Sequence, residues 1–452
     1  MSPATHKPSS AVIVGLGRTG LSCARYLHER GWRLAVTDTR PQPPQLAALR
    51  ALDPEIPIRL GALDTGLLDD ALCVVVSPGV PLEEPFFTEA RRRGLEIVGD
   101  IELFARAVDA PVAGITGTNG KSTVTTLVGR MAMRAGVAVR VGGNLGEPAL
   151  DLLAAAHRAG EAVGLYVLEL SSFQLEATHS LDLAAAAVLN VSPDHLDRYA
   201  SVAAYAEAKA RIFARCDTAV INLDDPLVVA MPRPGQRTLS FSLRASIGAD
   251  YAVALREGAA WLTRRGEPLL AVSALRIRGL HNAANALAAL ALGEALGLPL
   301  PAMVAELEVF AGLDHRTQWV AEVAGVTYID DSKGTNVGAT IAAVAGMPGP
   351  LVIIAGGDGK SQDFGALAPA FRGKVRHTIL IGRDGRLVGE ALRGVCKTEY
   401  RGSLEEAVRA AAAAARPGDT VLLSPACASL DMFRDYAHRG AVFAQAVREL
   451  AA

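Results

Sequence analysis

Short apolar runs recur along the chain, each followed by a stretch in which apolar residues return every three or four positions. In the first 99 residues "AVIVGLG", "RLAVTDT", "ALCVVVSPG" and "LEIVG" read as strands, with helical spacing in stretches such as 20–30 between them. Apolar runs closed by Gly, Pro or Asp and separated by helical periodicity are the pattern of βαβ units around a parallel sheet. A second series begins around "FARAVDAPVAG", with strands at "PVAGITG", "LYVLELSS", "AAAAVLNVS" and "TAVINLDD" and helices near 121–135 and 202–215. Over 238–275 the pattern becomes the alternation of a meander, and "HNAANALAALALGEALG" returns to helix. A third series, "VTYIDD", "LVIIAGG", "HTILIG" and "TVLLSPA", follows "FAGLDHRTQ". The patterning predicts an α/β protein of three domains, 1–99, 100–312 and 313–452. The first and last are Rossmann-like, and the middle one has a mostly parallel sheet.

Composition narrows the class. Half of the residues are hydrophobic but only 5% are aromatic, as expected for a soluble, Ala-rich α/β chain. A formal net charge of −2, with no long basic block, leaves no electrostatic footprint for nucleic acid. The five cysteines, Cys23, Cys73, Cys216, Cys396 and Cys427, form no C-x-x-C pair and are odd in number, which argues against a disulfide framework or a zinc site. "MSPATHKPSS" lacks the apolar core of a signal peptide, and no run reaches the length of a membrane span. The expectation is a cytoplasmic protein without membrane insertion.

The candidate chemistry sits where strands end. "VIVGLGRTG" carries a full G-x-G-x-x-G at Gly15, Gly17 and Gly20, and Asp38 closes the next strand. That meets the dinucleotide fingerprint and suggests an NAD-dependent oxidoreductase, although any diphosphate at a helix N-terminus satisfies it. "GITGTNGKST" departs from the strict P-loop, because Ile115 stands where the first glycine belongs. Gly117, Thr118, Asn119, Gly120, Lys121, Ser122 and Thr123 still supply backbone N–H groups, an ammonium and hydroxyls at a strand-to-helix junction. Lys121 would reach the β- and γ-phosphates of a nucleoside triphosphate and Ser122 a Mg²⁺ ion, which makes the middle domain P-loop-like.

A phosphate-bound Mg²⁺ takes hard oxygen ligands. Glu169 ends an apolar strand, where a carboxylate is costly unless paired or metal-bound. His195 lies in the polar loop "SPDHLDRY" just after a strand. Lys209 shares a helix face with Tyr205 and Phe213, a setting in which a lysine ordinarily snorkels to the surface. Only seven of the 45 basic residues are lysine, and four of these, Lys121, Lys209, Lys333 and Lys360, fall in or beside such motifs. A surviving lysine fits a place where a compact, modifiable amine is needed and the Arg fork is not equivalent. "DDSKGTNVGAT", "GGDGKSQDF" and "LLSPACASLDMF" add further anion-binding groups after strands of the third domain.

Taken together and in order, "GLGRTGLSC", "GDIELF", "GITGTNGKST", "GGNLGEP", "LELSSFQLE", "SPDHLDRY", "AKARIF", "HNAANALAA", "GLDHR", "DDSKGTN", "GGDGKS" and "SPACASLD" resemble the Mur ligase family of peptidoglycan synthesis. Among its branches the match is to the one that adds D-glutamate; the Asp-Asn-Pro-Arg segment of the diaminopimelate- or lysine-adding branch does not occur. The resemblance implies UDP rather than NAD in the N-terminal domain, held by Gly17, Thr19, Thr39, Arg40, Ser77 and Gly79, with Asn144 and Ser171 toward the muramoyl part of UDP-N-acetylmuramoyl-L-alanine. It implies ATP on the Gly117–Thr123 loop with Asn282, Arg316 and Asp331, and catalytic roles for Lys121, Glu169, His195 and Lys209. One Mg²⁺ would use Ser122 and Glu169 and a second His195 and Lys209, the lysine carbamylated by CO₂. D-Glutamate would meet Thr335, Lys360, Ser429, Leu430 and Tyr436, in an enzyme expected to be monomeric. Arg18 stands where an apolar residue is usual in the family, and Tyr436 where Phe is expected. A folylpolyglutamate synthase-like ligase shares the ATP domain but lacks the UDP-binding one. A non-catalytic nucleotide sensor would not need Glu169, His195 and Lys209 together.

Overall fold

The computed structural model describes residues 9–450 apart from Arg278 and Pro348; Lys7 and the N-terminal segment through residue 8 lie outside the described residues. Three sheets follow one another along the chain. The first is wholly parallel, built from Ser10–Val14, Arg33–Asp38, Ile58–Leu60, Cys73–Val76 and Glu96–Val98, in the spatial order 3-2-1-4-5. Ser10–Val14 and Cys73–Val76 are buried along their whole length, the Val/Ile-rich signature of a strand covered on both faces. A Cβ at Gly20 would lie 2.0 Å from the Gly15 carbonyl oxygen, so the third glycine of the fingerprint lets helix Arg18–His28 seat directly on the first strand.

The central sheet has nine strands, in spatial order Val139–Gly143, Leu165–Glu169, Val112–Thr116, Leu183–Val188, Cys216–Asn222, Arg237–Ser242, Tyr251–Arg256, Ala259–Arg264 and Glu267–Ala271. Helix Leu280–Ala295 is apolar nearly all round and packs on this sheet and on helix Lys121–Arg134, burying almost every residue from Asn282 to Gly293. The meander expected over 238–275 begins one strand later. Arg237–Ser242 pairs parallel with Tyr251–Arg256, and only the last three strands run antiparallel. The third sheet runs Gln318–Val323, Val326–Asp330, Thr420–Leu423, Leu351–Gly356, Val375–Ile381 and Lys397–Tyr400, parallel except for its first edge strand. No helix among the described residues is long and apolar enough to cross a membrane.

The helix that follows the first domain is tied to the second by a buried carboxylate. Glu102, 1% exposed on helix Asp100–Ala105, accepts from the backbone N–H groups of His179 (2.7 Å) and Ser180 (2.9 Å), the Ser180 hydroxyl (2.8 Å) and Arg106 Nε (3.0 Å). Burial alone would raise its carboxyl, but the bonds from His179, Ser180 and Arg106 hold it down at about 2. A depressed carboxyl lends stability above its unfolded value of about 4.3 and loses it as pH falls through the folded value. The urea midpoint is therefore expected to fall as pH drops from about 5 toward 2, and Glu102→Gln should flatten that slope while lowering stability at pH 7. An unchanged slope in the variant would remove Glu102 from the junction.

Candidate active site

Ligand sites of open α/β sheets lie beyond the carboxyl ends of the strands. Here Gly15–Gly17, Asp38 and Ser77 cluster at that edge of the first sheet, and with Gly143, Asn144, Gly146 and Gln174 of the central domain they line a cavity of about 490 Å³. Thr19, Thr39, Arg40 and Gly79 line it too. Ser171 lies behind this lining, capping helix Ser172–Glu176 with its hydroxyl. A Cβ at Gly17 or Gly79 would meet nothing within 4 Å, so neither glycine is demanded by the protein's own packing. Both leave the backbone open to a phosphate, which is the fit that a diphosphate requires. Asp38 is already occupied. It accepts from Leu16 N at 2.7 Å and holds Arg40 Nε and Nη2 at 2.9 and 2.6 Å, so it is not the free carboxylate that a dinucleotide ribose needs. Arg18, the family outlier, donates to the Gly146 carbonyl at 2.9 Å and so bridges to the central domain.

The second site lies where the carboxyl edges of the central and C-terminal sheets face each other. The loop Gly117–Gly120 turns from strand Val112–Thr116 into helix Lys121–Arg134, with Gly120 at φ 85°. A Cβ there would come within 2.3 Å of Asn285 Oδ1, so helix Leu280–Ala295 supports the loop from beneath. Ser122 Oγ donates to Glu169 Oε2 at 2.5 Å and accepts from Arg316 Nη2 at 2.6 Å, while Asn144 Nδ2 donates to Glu169 Oε1 at 2.8 Å. Burial opposes the Glu169 charge, but the Lys121 ammonium and the Ser122 and Asn144 bonds keep its carboxyl below the usual range. A hydroxyl against an ionised carboxylate is a hard-oxygen pair of the kind Mg²⁺ takes. Among the described residues, no three His, Cys, Asp or Glu side chains form a metal cluster.

Lys121 folds back onto its own loop, with Nζ 2.7 Å from the Gly117 and 2.8 Å from the Thr118 carbonyl oxygen. Lys209 does not snorkel. It is 1% exposed, donates to the Gly117 carbonyl at 2.9 Å, and stands 4.3 Å from the Tyr205 ring centroid. The helix Val202–Ala210 packs against helix Ser172–Glu176, which takes the lysine inward instead of to solvent. Burial, reinforced by the nearby Lys121 charge, drops the Lys209 pKa well below that of an ordinary lysine. His195, at φ 55°, packs edge-on to Phe173, and burial lowers its pKa despite Asp194.

A cavity of about 300 Å³ beside the loop is lined by Asn119, Gly120, Thr123, Asn282, Arg316, Asp331 and Lys333. Burial pushes the Asp331 carboxyl up to about 7 and the Lys333 amine down to about 8. The two domains touch through Asn119 and Asn336, whose amides pair at 3.3 and 3.5 Å, and through Asp194, which accepts from Asn336 Nδ2 at 3.1 Å and Lys360 Nζ at 3.3 Å. The remaining residues expected around an amino acid are spread more loosely. Ser429 is buried, Leu430 is 72% exposed, Thr335 lies in the turn before helix Val337–Gly346, and the Tyr436 ring sits under Lys333 Nζ at 3.8 Å. Asp194 and Gln174 went unremarked in the sequence although each stands in a quoted motif; the adjacency of Asp194 to His195 was the only signal available for either.

A phosphate-type loop facing a second domain across a cationic crevice, with a separate glycine-lined cavity on a third, is an arrangement that suits an ATP-dependent ligase. The Mur ligase middle domain matches residues 115–293, the Mur ligase MurD-like N-terminal domain residues 9–99, and the Mur ligase glutamate ligase domain residues 315–427. The chain belongs to the Mur ligase family. It is 53% identical to the UDP-N-acetylmuramoylalanine--D-glutamate ligase of Methylococcus capsulatus, over 98% of this chain and 95% of that protein. The ligase of the same name from Pseudomonas aeruginosa is 50% identical over 97% and 98%. Among solved structures, the UDP-N-acetylmuramate-alanine ligase MurC of Thermotoga maritima aligns with a TM-score of 0.61 at 20% identity, over 97% of this chain and 99% of that one. MurF of Acinetobacter baumannii aligns with a TM-score of 0.61 at 18%, over 99% and 93%.

A buried amine with no carboxylate bonded to it costs stability. Lys209→Met keeps the volume and removes the charge, and Lys121 still satisfies the Gly117 carbonyl. The variant is expected to be more stable than the parent by about 1–3 kcal/mol in urea titration. A loss of stability would mean that the amine is fully compensated where it stands.

Proposed function

We propose that the chain joins the L-alanyl carboxylate of UDP-N-acetylmuramoyl-L-alanine to the amine of D-glutamate at the expense of ATP, as a monomer in the cytoplasm. The observation that carries this reading is the excess of cations, Lys121, Arg316 and Lys333, half-buried around Glu169 and the phosphate loop. Such a cluster is poised for a polyanion, and its lowered amine and guanidinium pKa values mark charge that a triphosphate would neutralise. Asn282, Arg316 and Asp331 are assigned to ATP together with the loop. The open backbone at Gly17 and Gly79, with Thr19, Thr39, Arg40, Ser77, Asn144 and Ser171, is assigned to the nucleotide-sugar substrate.

A carboxylate is a poor electrophile. In the first step one of its oxygens attacks the γ-phosphorus, the bond to the β-phosphate oxygen breaks, and ADP leaves an acyl phosphate. In the second the free amine of D-glutamate attacks the acyl carbon, its nitrogen gives up one proton to a base, and the tetrahedral oxyanion collapses to an amide, expelling phosphate. Lys121 and Arg316 stabilise the charge that builds on the transferred group, and the loop N–H groups hold it in place. Ser122 and Glu169 would hold one Mg²⁺, and His195 with a carbamylated Lys209 a second; Mg²⁺ bound there would neutralise phosphate charge. Thr335, Lys360, Ser429, Leu430 and Tyr436 receive the D-glutamate, and closure of the third domain keeps water from the acyl phosphate.

Burial and the nearby Lys121 charge lower the Lys209 pKa, which favours the neutral amine, the form that CO₂ requires. Attack on the CO₂ carbon forms an N–C bond, moves one C=O electron pair onto oxygen and releases a proton, and the product is a carbamate. That converts a buried amine into an oxygen ligand.

Phosphate release from ATP should require UDP-N-acetylmuramoyl-L-alanine and should respond to D-glutamate but not to L-glutamate, L-lysine or diaminopimelate. Release without amino-acid preference, or only with folate, would overturn the reading. Lys209→Ala should lose turnover and regain part of it with added short carboxylates; a folded variant with no recovery would refute the carbamate.

A further inference from the structure

Asp100 opens the helix that links the first domain to the second, and it is 2% exposed. Its Oδ2 accepts from Gln174 Nε2 at 2.9 Å, and its Oδ1 is buried without a hydrogen-bond partner. Gln174 is 3% exposed, yet it contributes to the lining of the 490 Å³ cavity. The other end of its carboxamide, Oε1, accepts from Ser171 N at 3.1 Å and Ser171 Oγ at 3.2 Å, and Ser171 Oγ in turn accepts from Gln174 N at 3.2 Å.

A carboxamide can lie either way round, and its partners decide which. Burial pushes the Asp100 carboxyl up to about 6, against the pull of the Gln174 bond, so at neutral pH it is chiefly ionised and only accepts. An acceptor on this side obliges the amide to turn its NH₂ toward Asp100 and its oxygen toward Ser171. The capping box at Ser171–Gln174 is thus closed from outside its own helix, by a residue 74 positions earlier in the chain. The neighbouring bond from Gly99 N to the Ala177 carbonyl (3.0 Å) and the Glu102 bonds to His179 and Ser180 sew the same linker to the same segment.

We propose that Asp100 is a positioning residue for the nucleotide-sugar substrate: by orienting the Gln174 carboxamide it sets the shape of the cavity wall and the placement of Ser171. The inference rests on the assignment of that cavity to the UDP-linked substrate. It separates Asp100 from Glu102, which stabilises the same junction but bonds neither Gln174 nor Ser171 through its side chain.

Steady-state kinetics on the full chain with each of the three substrates varied in turn tests the idea. Asp100→Ala should raise KM for UDP-N-acetylmuramoyl-L-alanine about 3- to 10-fold, the loss of one net hydrogen bond, with KM for ATP and D-glutamate and kcat within about twofold. Asp100→Asn still offers an acceptor oxygen and should stay near the parent. In a Gln174→Leu background, Asp100→Ala should have no further effect on that KM, because the pathway is already cut. Should Asp100→Ala not fold, Asp100→Ser, whose hydroxyl is too short to reach Gln174, carries the same expectation. Equal changes in all three KM values, additive effects with Gln174→Leu, or an Asp100→Asn variant as impaired as Asp100→Ala would overturn the proposal alone. A parent enzyme that does not turn over the UDP-linked substrate would overturn the assignment beneath it as well.

Discussion

One hydroxyl holds the catalytic region together. Ser122, in the first turn of the helix after the phosphate loop, donates a hydrogen bond to the buried carboxylate of Glu169 and accepts one from Arg316 beyond the central sheet. The loop, the neighbouring strand and the start of the third domain thereby meet at a single atom. A carboxylate as buried as Glu169 persists in charged form only because Lys121, Ser122, Asn144 and Arg316 compensate it. Removing any one of them leaves charge less compensated in a low dielectric.

The same economy explains the surplus of cations. Lys121, Arg316 and Lys333 converge where Glu169 is the central counter-charge, and desolvation depresses the pKa of each. In this state Lys121 turns inward onto its own loop's carbonyls and Lys360 leans on Asp194, so both amines rest on internal acceptors. The facing amides of Asn119 and Asn336 show how short the distance between the two domains is.

Legibility in the sequence followed the range of the interactions. The glycine fingerprint, the phosphate loop and the fully buried strands announce themselves locally, because their chemistry is set by residues within a few positions of one another. Edge strands were harder to see. Val139–Gly143 ends in two glycines, and Gln318–Val323 has an exposed Trp319 and little periodicity. Helix spacing alone gives Lys209 the setting of a snorkelling lysine, since it cannot tell an apolar face turned to solvent from one turned under a loop. Asp38 looked like a ribose ligand until Arg40 and Leu16 were seen to occupy it. Asp194 and Gln174 meet partners 142 and 74 residues away, pairings for which a single sequence carries no signal.

The central claim is that ATP activates a carboxylate by direct phosphoryl transfer within the crevice between the second and third domains. Its most direct test is the fate of oxygen in the L-alanyl carboxylate of UDP-N-acetylmuramoyl-L-alanine labelled with ¹⁸O. One labelled oxygen should appear in each phosphate released, since the carboxylate oxygen that attacks phosphorus leaves with it. Phosphate carrying no label, with product still formed, would contradict an acyl phosphate and the account built on it.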